Sequence, residues 1–381
     1  MTTRVIVGDL RTGRRIMDIP HTRLSWTVAR NRAGSLSVSI PMTARDIQAL
    51  DLRNASTPAK TFLAVVIDDV PVEAGPIWRR TYDKAKGTLE LTAAGMWSYF
   101  DQRPILPALA ADGVVIDPAT GASRAATNTD LVNLSYGTIA KRLVQQAQTW
   151  TGGNVPVVFQ ADEVGTYEHH YLGANLDSLG DALRSFIDLV DGVDIRFLPR
   201  FTTDRLGIEW VLQTGTLTQP ELRSTATHKW DYSVVEPSIR NLQVVEDASA
   251  MTSAGWATGG RQGGVAMAEL AADPFLTSAG YPLLEAVDSS HSDVVIPATL
   301  RGYAENAVLL GRAPKSAWSF EAKADVVPRA GQYLPGDLAL IRVANDPFIP
   351  DGTYTREIAS ISGDQDGRWI KVVTEEQFDA A

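Results

Sequence analysis

Alternating apolar and polar residues dominate the first hundred positions of the chain. Leu24-Ser-Trp26-Thr-Val28 and Leu36-Ser-Val38-Ser-Ile40 follow this pattern, and the apolar residues Val5 to Val7 form an earlier strand-like segment. Alternation with a period of two places apolar side chains on one face of a strand and polar side chains on the other. Turn residues at Arg11-Thr-Gly13 and Asn31-Arg-Ala-Gly34 separate the runs. The pattern predicts half-buried antiparallel strands.

Residues 61 to 104 are predicted to form hairpins that end in an aromatic cluster. The run from Phe62 to Ile67 is wholly apolar, and Asp68-Asp69 and Gly87 supply turn positions between strands. The cluster consists of Trp97, Tyr99 and Phe100. Large aromatic side chains at the end of a strand segment are expected to fix it against a core. None of these residues indicates catalytic chemistry.

Three segments have apolar residues at helical spacing: Thr138 to Trp150, Leu176 to Val190, and about Pro297 to Gly311. Glycine follows each predicted helix, and proline suits the first turn of the third. The predicted buried faces are Ile139, Leu143, Val144 and Ala147 in the first helix; Leu176, Leu179, Leu183, Phe186, Ile187 and Val190 in the second; and Leu300, Tyr303, Ala304, Ala307, Val308 and Leu310 in the third.

Two segments show neither the period of two of a strand nor the spacing of a helix. Residues 103 to 135 are rich in Pro, Gly, Asp and small polar residues, which predicts an exposed connection or insertion. The glycine-rich stretch from Gly255 to Gly264 is predicted to be a flexible loop, because it lacks the Gly-x-x-x-x-Gly-Lys order of a phosphate-binding loop. Strands are predicted at Val193 to Leu198, Leu206 to Leu212 and from Ile239 onward.

Size and charge restrict the class of protein. A chain of 381 residues with 44% hydrophobic residues is expected to form about two to four domains. The longest apolar run, Phe62 to Ile67, is too short to span a membrane. The absence of cysteine excludes disulfides and thiolate metal sites. A net charge of −10 argues against a surface that follows nucleic-acid phosphates. Residues 1 to 32 are nevertheless basic, which indicates a solvated basic hairpin or, as the alternative, a docking site for an acidic partner.

Candidate catalytic groups are few. His169-His170 beside Glu168 is the one histidine pair, and it lacks the spacing that two zinc ligands on a helix need. The remaining histidines, His21, His228 and His291, stand alone. Asp364-Gln-Asp366-Gly367 is incomplete as a calcium loop and is predicted to be a hairpin turn. We therefore predict no enzyme and assign no catalytic, cofactor-binding or metal-binding residue; a site assembled from distant residues is the alternative.

The order of several segments resembles minor tail proteins of long-tailed phages (siphophages) that infect actinobacteria. The segments are Gly8 to Ile16, Ala33 to Pro41 and Phe62 to Pro104. The helix of Leu300 to Leu310 and the turn Leu334-Pro-Gly336-Asp337 are similar to the baseplate-hub proteins at the tip of phage tails. This resemblance covers most of the chain.

The resemblance implies a mainly β fold with some α (α+β): two tail-tube-like β-barrel domains with an α/β insertion, in the architecture of a phage baseplate hub. The implied divisions are residues 1–102 as the first part of domain 1, 103–205 as an inserted α+β domain with two helices, and 206–245 as the return strands of domain 1. Residues 246–295 would then be the glycine-rich loop and connection, and residues 296–381 tube-like domain 2 with one helix.

The implied function is structural. Three copies would form a ring at the tail tip of the virion, adapt the hexameric tail tube to the tip proteins and gate genome ejection, after assembly in the cytoplasm of the bacterial host. Implied partners are the distal tail protein, the tape measure protein and other minor tail or receptor-binding proteins. DNA would pass through the lumen without specific binding, no cofactor would be needed, and carboxylates rather than arginines would face the DNA. Because the chain ends at Ala381, we expect no appended enzyme.

Two alternative functions remain. Nine tryptophans in a β-rich frame could provide stacking platforms for a receptor- or carbohydrate-binding tail module. Core packing is the favoured role for those in strand-like segments, which are Trp26, Trp78, Trp97 and Trp210. A cell-wall hydrolase is the less favoured alternative, because the sequence shows no recognisable group of catalytic residues.

Overall fold

We analysed the protein in a computed structural model, which describes residues 2–109, 113–187, 189, 192–223, 226–234, 237–262, 264–290 and 294–376. The chain forms two compact units. The large unit comprises Met1–Leu242 and Ser319–Gln377, and the small unit comprises Gln243–Trp318. Strands predominate over helices in the described residues, which confirms the mainly β class.

The described strands, in chain order, are β1 (Thr3–Asp9), β2 (Arg15–Asp18), β3 (Arg23–Ala29), β4 (Ser35–Pro41), β5 (Thr61–Ile67), β6 (Val70–Asp83), β7 (Thr88–Ala94), β8 (Thr129–Leu134), β9 (Val157–Phe159), β10 (Tyr167–Tyr171), β11 (Ile195–Phe201), β12 (Ile208–Thr214), β13 (Thr227–Asp231), β14 (Ile239–Asp247), β15 (Ala254–Gln262), β16 (Val265–Ala272), β17 (Glu285–Asp288), β18 (Lys315–Lys323), β19 (Leu338–Val343), β20 (Gly352–Asp364) and β21 (Trp369–Glu376). The described α-helices are α1 (Arg45–Gln48), α2 (Leu52–Ala55), α3 (Trp97–Phe100), α4 (Tyr136–Gln148), α5 (Leu179–Ile187), α6 (Phe275–Ser278) and α7 (Pro297–Leu310).

The large unit contains one long antiparallel sheet. Its strands follow the order β2-β1-β5-β6-β7-β4-β3-β20-β21-β18-β14. Strand β19 is also paired to β20, and β13 is paired in parallel to β19. All seven residues of β5 are buried, which accounts for the unbroken apolar run from Phe62 to Ile67. Ser360–Asp364 of β20 lie opposite Ser25–Ala29 of β3, so the first and last strands of the chain belong to one sheet.

The two longest strands change a pairing partner along their length. The first half of β6 pairs with β5 and the second half with β7, and β20 pairs first with β19 and then with β3. Register irregularities occur in both strands, between Ile77 and Arg79 and between Ile358 and Ser360. Such irregularities bend a strand and increase its twist. The sheets of the described residues are open ladders, with no closed barrel among them.

The two central helices share a core with the first strands. Helices α4 and α5 and strands β11 and β12 pack against β1 and β5 in one hydrophobic cluster. Within it, the rings of Phe62 and Trp210 meet edge to face at 5.5 Å, and Phe100 stacks on Phe197 at 5.1 Å. Trp97 and Phe100 are buried, which confirms the predicted role of the aromatic cluster. The predicted insertion therefore contributes to the same core as the strands that precede it.

The helix predictions are confirmed with local corrections. All four residues of the predicted apolar face of α4 are buried, as are Leu179, Leu183 and Phe186 of α5. The prediction that Leu176 is buried on this helix is wrong. Leu176 precedes α5 with a left-handed φ of 53° and is exposed. The predicted burial of Leu310 is also wrong, because Leu310 is 63% exposed at the end of α7. Val190 lies outside the described residues.

The small unit corrects the prediction for the glycine-rich stretch. Residues Ala254–Gln262 form strand β15, which lies between β16 and β17 in a three-stranded sheet that α7 covers on one face. A Cβ at Gly255 would lie 2.7 Å from the Ala304 carbonyl oxygen, and one at Gly259 would lie 2.7 Å from a Leu300 methyl group. These glycines therefore allow a helix to approach the strand closely, whereas the sequence pattern suggested flexibility.

The region from 103 to 135 is largely exposed, as predicted, up to strand β8. Ile105, Leu106 and Thr127 are exceptions and are buried. Among the described residues, no helix combines the length and apolar character that crossing a bilayer requires.

Candidate functional site: a polar sheet face and a buried charged joint

One face of the long sheet is covered by serine and threonine. Strand pairing aligns a row of exposed side chains across five strands: Asp364, Ser25, Ser37, Thr92 and Arg79. The opposite face of β3, β4 and β7 carries the buried apolar residues, which follow from the period-two alternation. We call the exposed surface the polar face.

Charges on the polar face nearly balance. Arg23, Arg79 and Lys371 are its cations, and Glu90 and Asp364 are its carboxylates. A groove with a volume of about 800 Å³ lies over the strands between Arg23, Glu90 and Asp366. Serine and threonine hydroxyls separate the charged groups, so this surface is hydrophilic without being a continuous field of one sign.

The turn after β20 borders this groove and confirms the predicted hairpin. The backbone N–H of Asp366 donates to Asp364 Oδ1 at 2.9 Å, and Gly367 adopts a left-handed φ of 61°. Nearby, the Arg240 guanidinium lies 4.0 Å from the centre of the Trp369 ring, and its Nε is 2.6 Å from Glu321. One face of Trp369 is therefore covered by a cation that is itself paired.

A second feature is a buried charged joint around Arg30, which follows β3. Arg30 Nε donates to Asp194 Oδ2 at 2.9 Å, and a second guanidinium nitrogen binds Glu357. Arg223 Nε binds the other carboxylate oxygen of Glu357 at 3.0 Å. Asn31 donates to Asp194 Oδ1 at 2.6 Å and accepts the backbone N–H of Ile195. The joint fastens the β3–β4 hairpin, the start of β11 and strand β20 to each other.

Burial governs the electrostatics of the joint. Burial by itself lowers the pKa of Arg30, but Asp194 and Glu357 together raise it above its ordinary value. Burial raises the pKa of Glu357, and the attraction of Arg30 and Arg223 offsets that effect only in part. Because the charged groups are largely removed from water, losing one of them would leave another without compensation.

The turn Leu334-Pro-Gly336-Asp337 is held by polar contacts from three elements. Arg196 of β11 donates to the Pro335 carbonyl oxygen at 2.9 Å, and His228 Nε2 lies 3.0 Å from Asp337 Oδ2. The backbone N–H of Leu334 also donates to Asp337 Oδ2, at 2.9 Å. Gly336 has a φ of 95°, and a Cβ there would meet the Leu222 carbonyl oxygen at 2.4 Å. The backbone geometry of Gly336 and the contacts from β11 and β13 therefore explain why this turn has its sequence.

A buried carboxyl group, Glu73 of β6, was missed by the sequence reasoning. It is 5% exposed, and its Oε1 accepts the backbone N–H of Ala74 at 2.9 Å. Burial raises its pKa to about 8, and that one hydrogen bond lowers it only slightly. Gly34 and Gly95 surround the carboxyl group so closely that a Cβ at Gly34 would overlap it. The available signal was a lone Glu within the apolar run Val70 to Ile77.

The histidine candidates that the structure describes are not brought together into one group. His169 and His170 point to opposite faces of β10: His169 packs on Phe186, whereas His170 is exposed beside Asp130 at 2.9 Å. Burial, and then the neighbouring His170, lower the pKa of His169. His21 lies near the Ile19 carbonyl oxygen, and His291 lies outside the described residues. In the part of the chain that the structure describes, no three potential ligands are grouped to hold a metal.

Most tryptophans belong to cores. Trp26, Trp97 and Trp210 are buried as predicted, and Trp230 and Trp318 join them. Trp78 is half-buried and donates to Ser98 Oγ at 2.8 Å. Trp97 differs from the prediction in lying on the short helix α3. Few tryptophan faces thus remain for stacking on a ligand.

The basic N-terminal segment is partly neutralised within the chain. Arg4 binds Asp69 at 2.5 Å, Arg15 binds Asp18 at 2.7 Å, and Arg30 belongs to the charged joint. Arg11 and Arg32 remain exposed. The excess of arginine therefore serves in part to join distant segments, which neither of the two sequence interpretations anticipated.

Solved structures of phage tail proteins share the fold of this chain. A tail protein from Neisseria meningitidis MC58 superposes with a TM-score of 0.59 at 15% identity, covering 99% of this chain and 97% of that one. The 43 kDa tail protein of prophage MuSo2 from Shewanella oneidensis gives a TM-score of 0.58 at 12% identity, with 98% of each chain covered.

A chain of the lidded PdpA-VgrG complex from Francisella gives a TM-score of 0.51 at 6% identity. That alignment covers 99% of this chain and 54% of the Francisella chain. No protein-family model matches the sequence, and no curated protein matches it. At such low identities a superposition establishes the fold, and this chain has the fold of phage tail proteins over nearly its entire length.

Proposed function

We propose that this protein is the structural baseplate hub of a siphophage tail, in a phage that infects actinobacteria. The observation that carries the proposal is the similarity of fold to two phage tail proteins, which extends over 98% or more of this chain. The order of sequence segments that resembles actinobacterial minor tail proteins supplies the narrower assignment.

In this proposal three copies form a ring with six tube-like parts, two from each chain, and so match a hexameric tail tube. Residues 1–102 with 206–245 would form one part and residues 296–381 the other, with 103–205 inserted and 246–295 connecting. A ring of identical contacts is the usual way in which one chain generates closed symmetry.

The polar face is our candidate for the surface that the genome passes. A row of arginines would attract phosphates and slow the DNA, whereas alternating hydroxyls with nearly balanced charges offer little net attraction. The resemblance implies carboxylates rather than arginines facing the DNA, and the nearly balanced charges of the polar face favour neutrality over repulsion. The tape measure protein, the distal tail protein and receptor-binding proteins are the proposed partners at the tail tip.

Cryo-electron microscopy of the phage particle that contains this protein tests the proposal. We expect threefold density at the tail tip, with the polar face toward the central channel. Location elsewhere in the particle, or a different symmetry, would refute the hub. An arginine-lined channel at the tip would be compatible with a hub but would refute the proposal that the polar face lines the channel.

A receptor- or carbohydrate-binding tail module is the alternative function. The groove on the polar face, with Arg23, Glu90 and Asp366 at its border, is the observation that favours it. A glycan array separates the two proposals, because a binding module should recognise a defined sugar that R23A and E90A variants lose. A cell-wall hydrolase would have to clear labelled peptidoglycan, with activity removed at Glu168 or His169.

A further inference from the structure

The small unit leaves one face of its sheet uncovered. Helix α7 packs Leu300, Ala304 and Val308 onto Ala257 and Ala271 on one side of strands β15 and β16. Strand register places Leu270, Trp256 and Val287 side by side on the other face. Leu270 is 39% exposed and Val287 is 68% exposed, and Trp256 is half-buried. We call this row the bare face.

A sheet edge without a described neighbouring strand adjoins the bare face. Strand β16 has the sequence Val-Ala-Met-Ala-Glu-Leu-Ala-Ala, without lysine or proline, and pairs on one side with β15. No described residue pairs with its outer side. Half of the main-chain groups of an edge strand point away from its neighbour and can pair with another strand. Natural edge strands are commonly protected by charged side chains, proline, bulges or a covering element. Strand β16 has one charged side chain, Glu269, and an irregular register with β15, but no described element covers its outer side.

Charge indicates the kind of strand that would fit. Glu269 lies in the middle of β16, half-buried and opposite Ala257, and no cation pairs with it among the described residues. Glu246 and Glu285 are exposed and likewise lack a described ion pair. Residues 243 to 318 have eight Asp or Glu and four Lys or Arg, a net charge of −4. Glu269 is the charged residue of β16, whereas Glu285 lies on β17 at the opposite edge of the sheet. A second copy paired along β16 would add another Glu269 to this edge, whereas a basic strand would neutralise the one present.

We propose that the outer edge of β16 binds an extended segment of a different protein, with apolar residues alternating with lysine or arginine. The segment extends the sheet of the small unit through main-chain hydrogen bonds. Its apolar side chains continue the bare face beside Leu270, and a basic side chain pairs with Glu269 on the other face. This inference concerns the small unit alone and does not depend on ring formation by the large unit.

Fluorescence anisotropy with two labelled, end-blocked octapeptides tests the proposal on the full chain. One peptide alternates valine and lysine, and the other alternates valine and glutamate. We expect the valine–lysine peptide to bind with a dissociation constant of about 10–100 μM, weakening as salt rises, and the glutamate peptide to bind at least about tenfold more weakly. Equal binding of the two peptides would overturn the charge argument, and binding of neither would overturn the docking edge.

Three variants locate the binding. L270K should weaken the valine–lysine peptide at least about tenfold by placing a charge on the bare face, and E269Q should remove most of the salt dependence. V164K is the matched control, because Val164 is 81% exposed in the large unit and should not affect the peptide. Thermal melts by circular dichroism verify folding. If the native chain self-associates in light scattering and L270K abolishes that association, the occupant is a second copy and the proposal fails.

Discussion

Replacing Glu73 with glutamine should stabilise the protein at neutral pH and remove a pH dependence that the native chain has. The carboxyl group is buried, and burial raises its pKa to about 8 from an ordinary value of 4.5. A carboxyl group whose pKa is higher in the folded state binds its proton more tightly there. Stability is therefore greatest below pH 4.5 for this group and falls as pH rises toward 8.

The magnitude follows from the two pKa values. Between the unfolded and folded pKa values, each pH unit removes about 1.4 kcal/mol of stability. At pH 7 the native chain should have lost roughly 3 kcal/mol relative to the acid limit, and at pH 9 roughly 5 kcal/mol, as an upper bound. Glutamine has the same shape and stays neutral, so the Glu73→Gln variant should be spared both losses.

Urea unfolding followed by tryptophan fluorescence at pH 4.5, 7 and 9 measures the difference between the two proteins. Taking the difference cancels the titration of every other group. We expect near-equal stability at pH 4.5 and a growing advantage for the variant above it. Glu90→Gln, the same chemical change on the exposed polar face, should alter stability by less than about 0.5 kcal/mol at each pH. A variant-minus-native difference that does not change with pH would refute the reasoning.

Three further changes test the packing and the charged joint. Gly259→Ala should destabilise the small unit by about 2 kcal/mol, because its Cβ would meet the Val294 carbonyl oxygen at 2.2 Å, whereas Gly302→Ala in open space on α7 should stabilise it by about 1 kcal/mol in the same melt. Arg30→Met should cost about 3 kcal/mol in urea unfolding by leaving Asp194 and Glu357 buried without their shared cation; a loss below about 1 kcal/mol would contradict the joint. Phe100→Ala should cost about 3–5 kcal/mol, and an unchanged melting temperature would show that the aromatic cluster does not support the core.

Period-two and helical patterns predicted most of the fold because burial on one side imposes them directly. The alternation in Leu24 to Val28 became β3, and the spacing in α4 placed every predicted residue in the core. The glycine-rich stretch was predicted wrongly for a physical reason. Composition cannot distinguish a glycine that permits flexibility from one that allows a helix to approach, because the helix that requires Gly255 and Gly259 lies about forty residues later in the chain.

The pairing of strands that are distant in the chain could not be predicted from the sequence pattern either. The alternation in β3 indicates which side chains are buried, but it does not identify β20, more than 300 residues away, as the neighbouring strand. The charged joint is of the same kind: Arg30, Asp194 and Glu357 are unremarkable in their own segments and acquire a role only through contact. Single-sequence reasoning recovers local periodicity, and it does not recover partners that the tertiary fold selects.

The Pro-Gly-Asp turn, which is similar to a turn of baseplate-hub proteins, is required by the local backbone geometry and by its hydrogen bonds. Gly336 must be glycine because its φ is positive and the Leu222 carbonyl oxygen fills the space of a Cβ. Asp337 must accept from both the turn and His228, and the Pro335 carbonyl oxygen receives Arg196 from β11. The motif thus joins the central region to the C-terminal strands, as the charged joint does through Glu357. Such cross-connections add side-chain contacts between distant segments to the ladder of hydrogen bonds that holds neighbouring strands together.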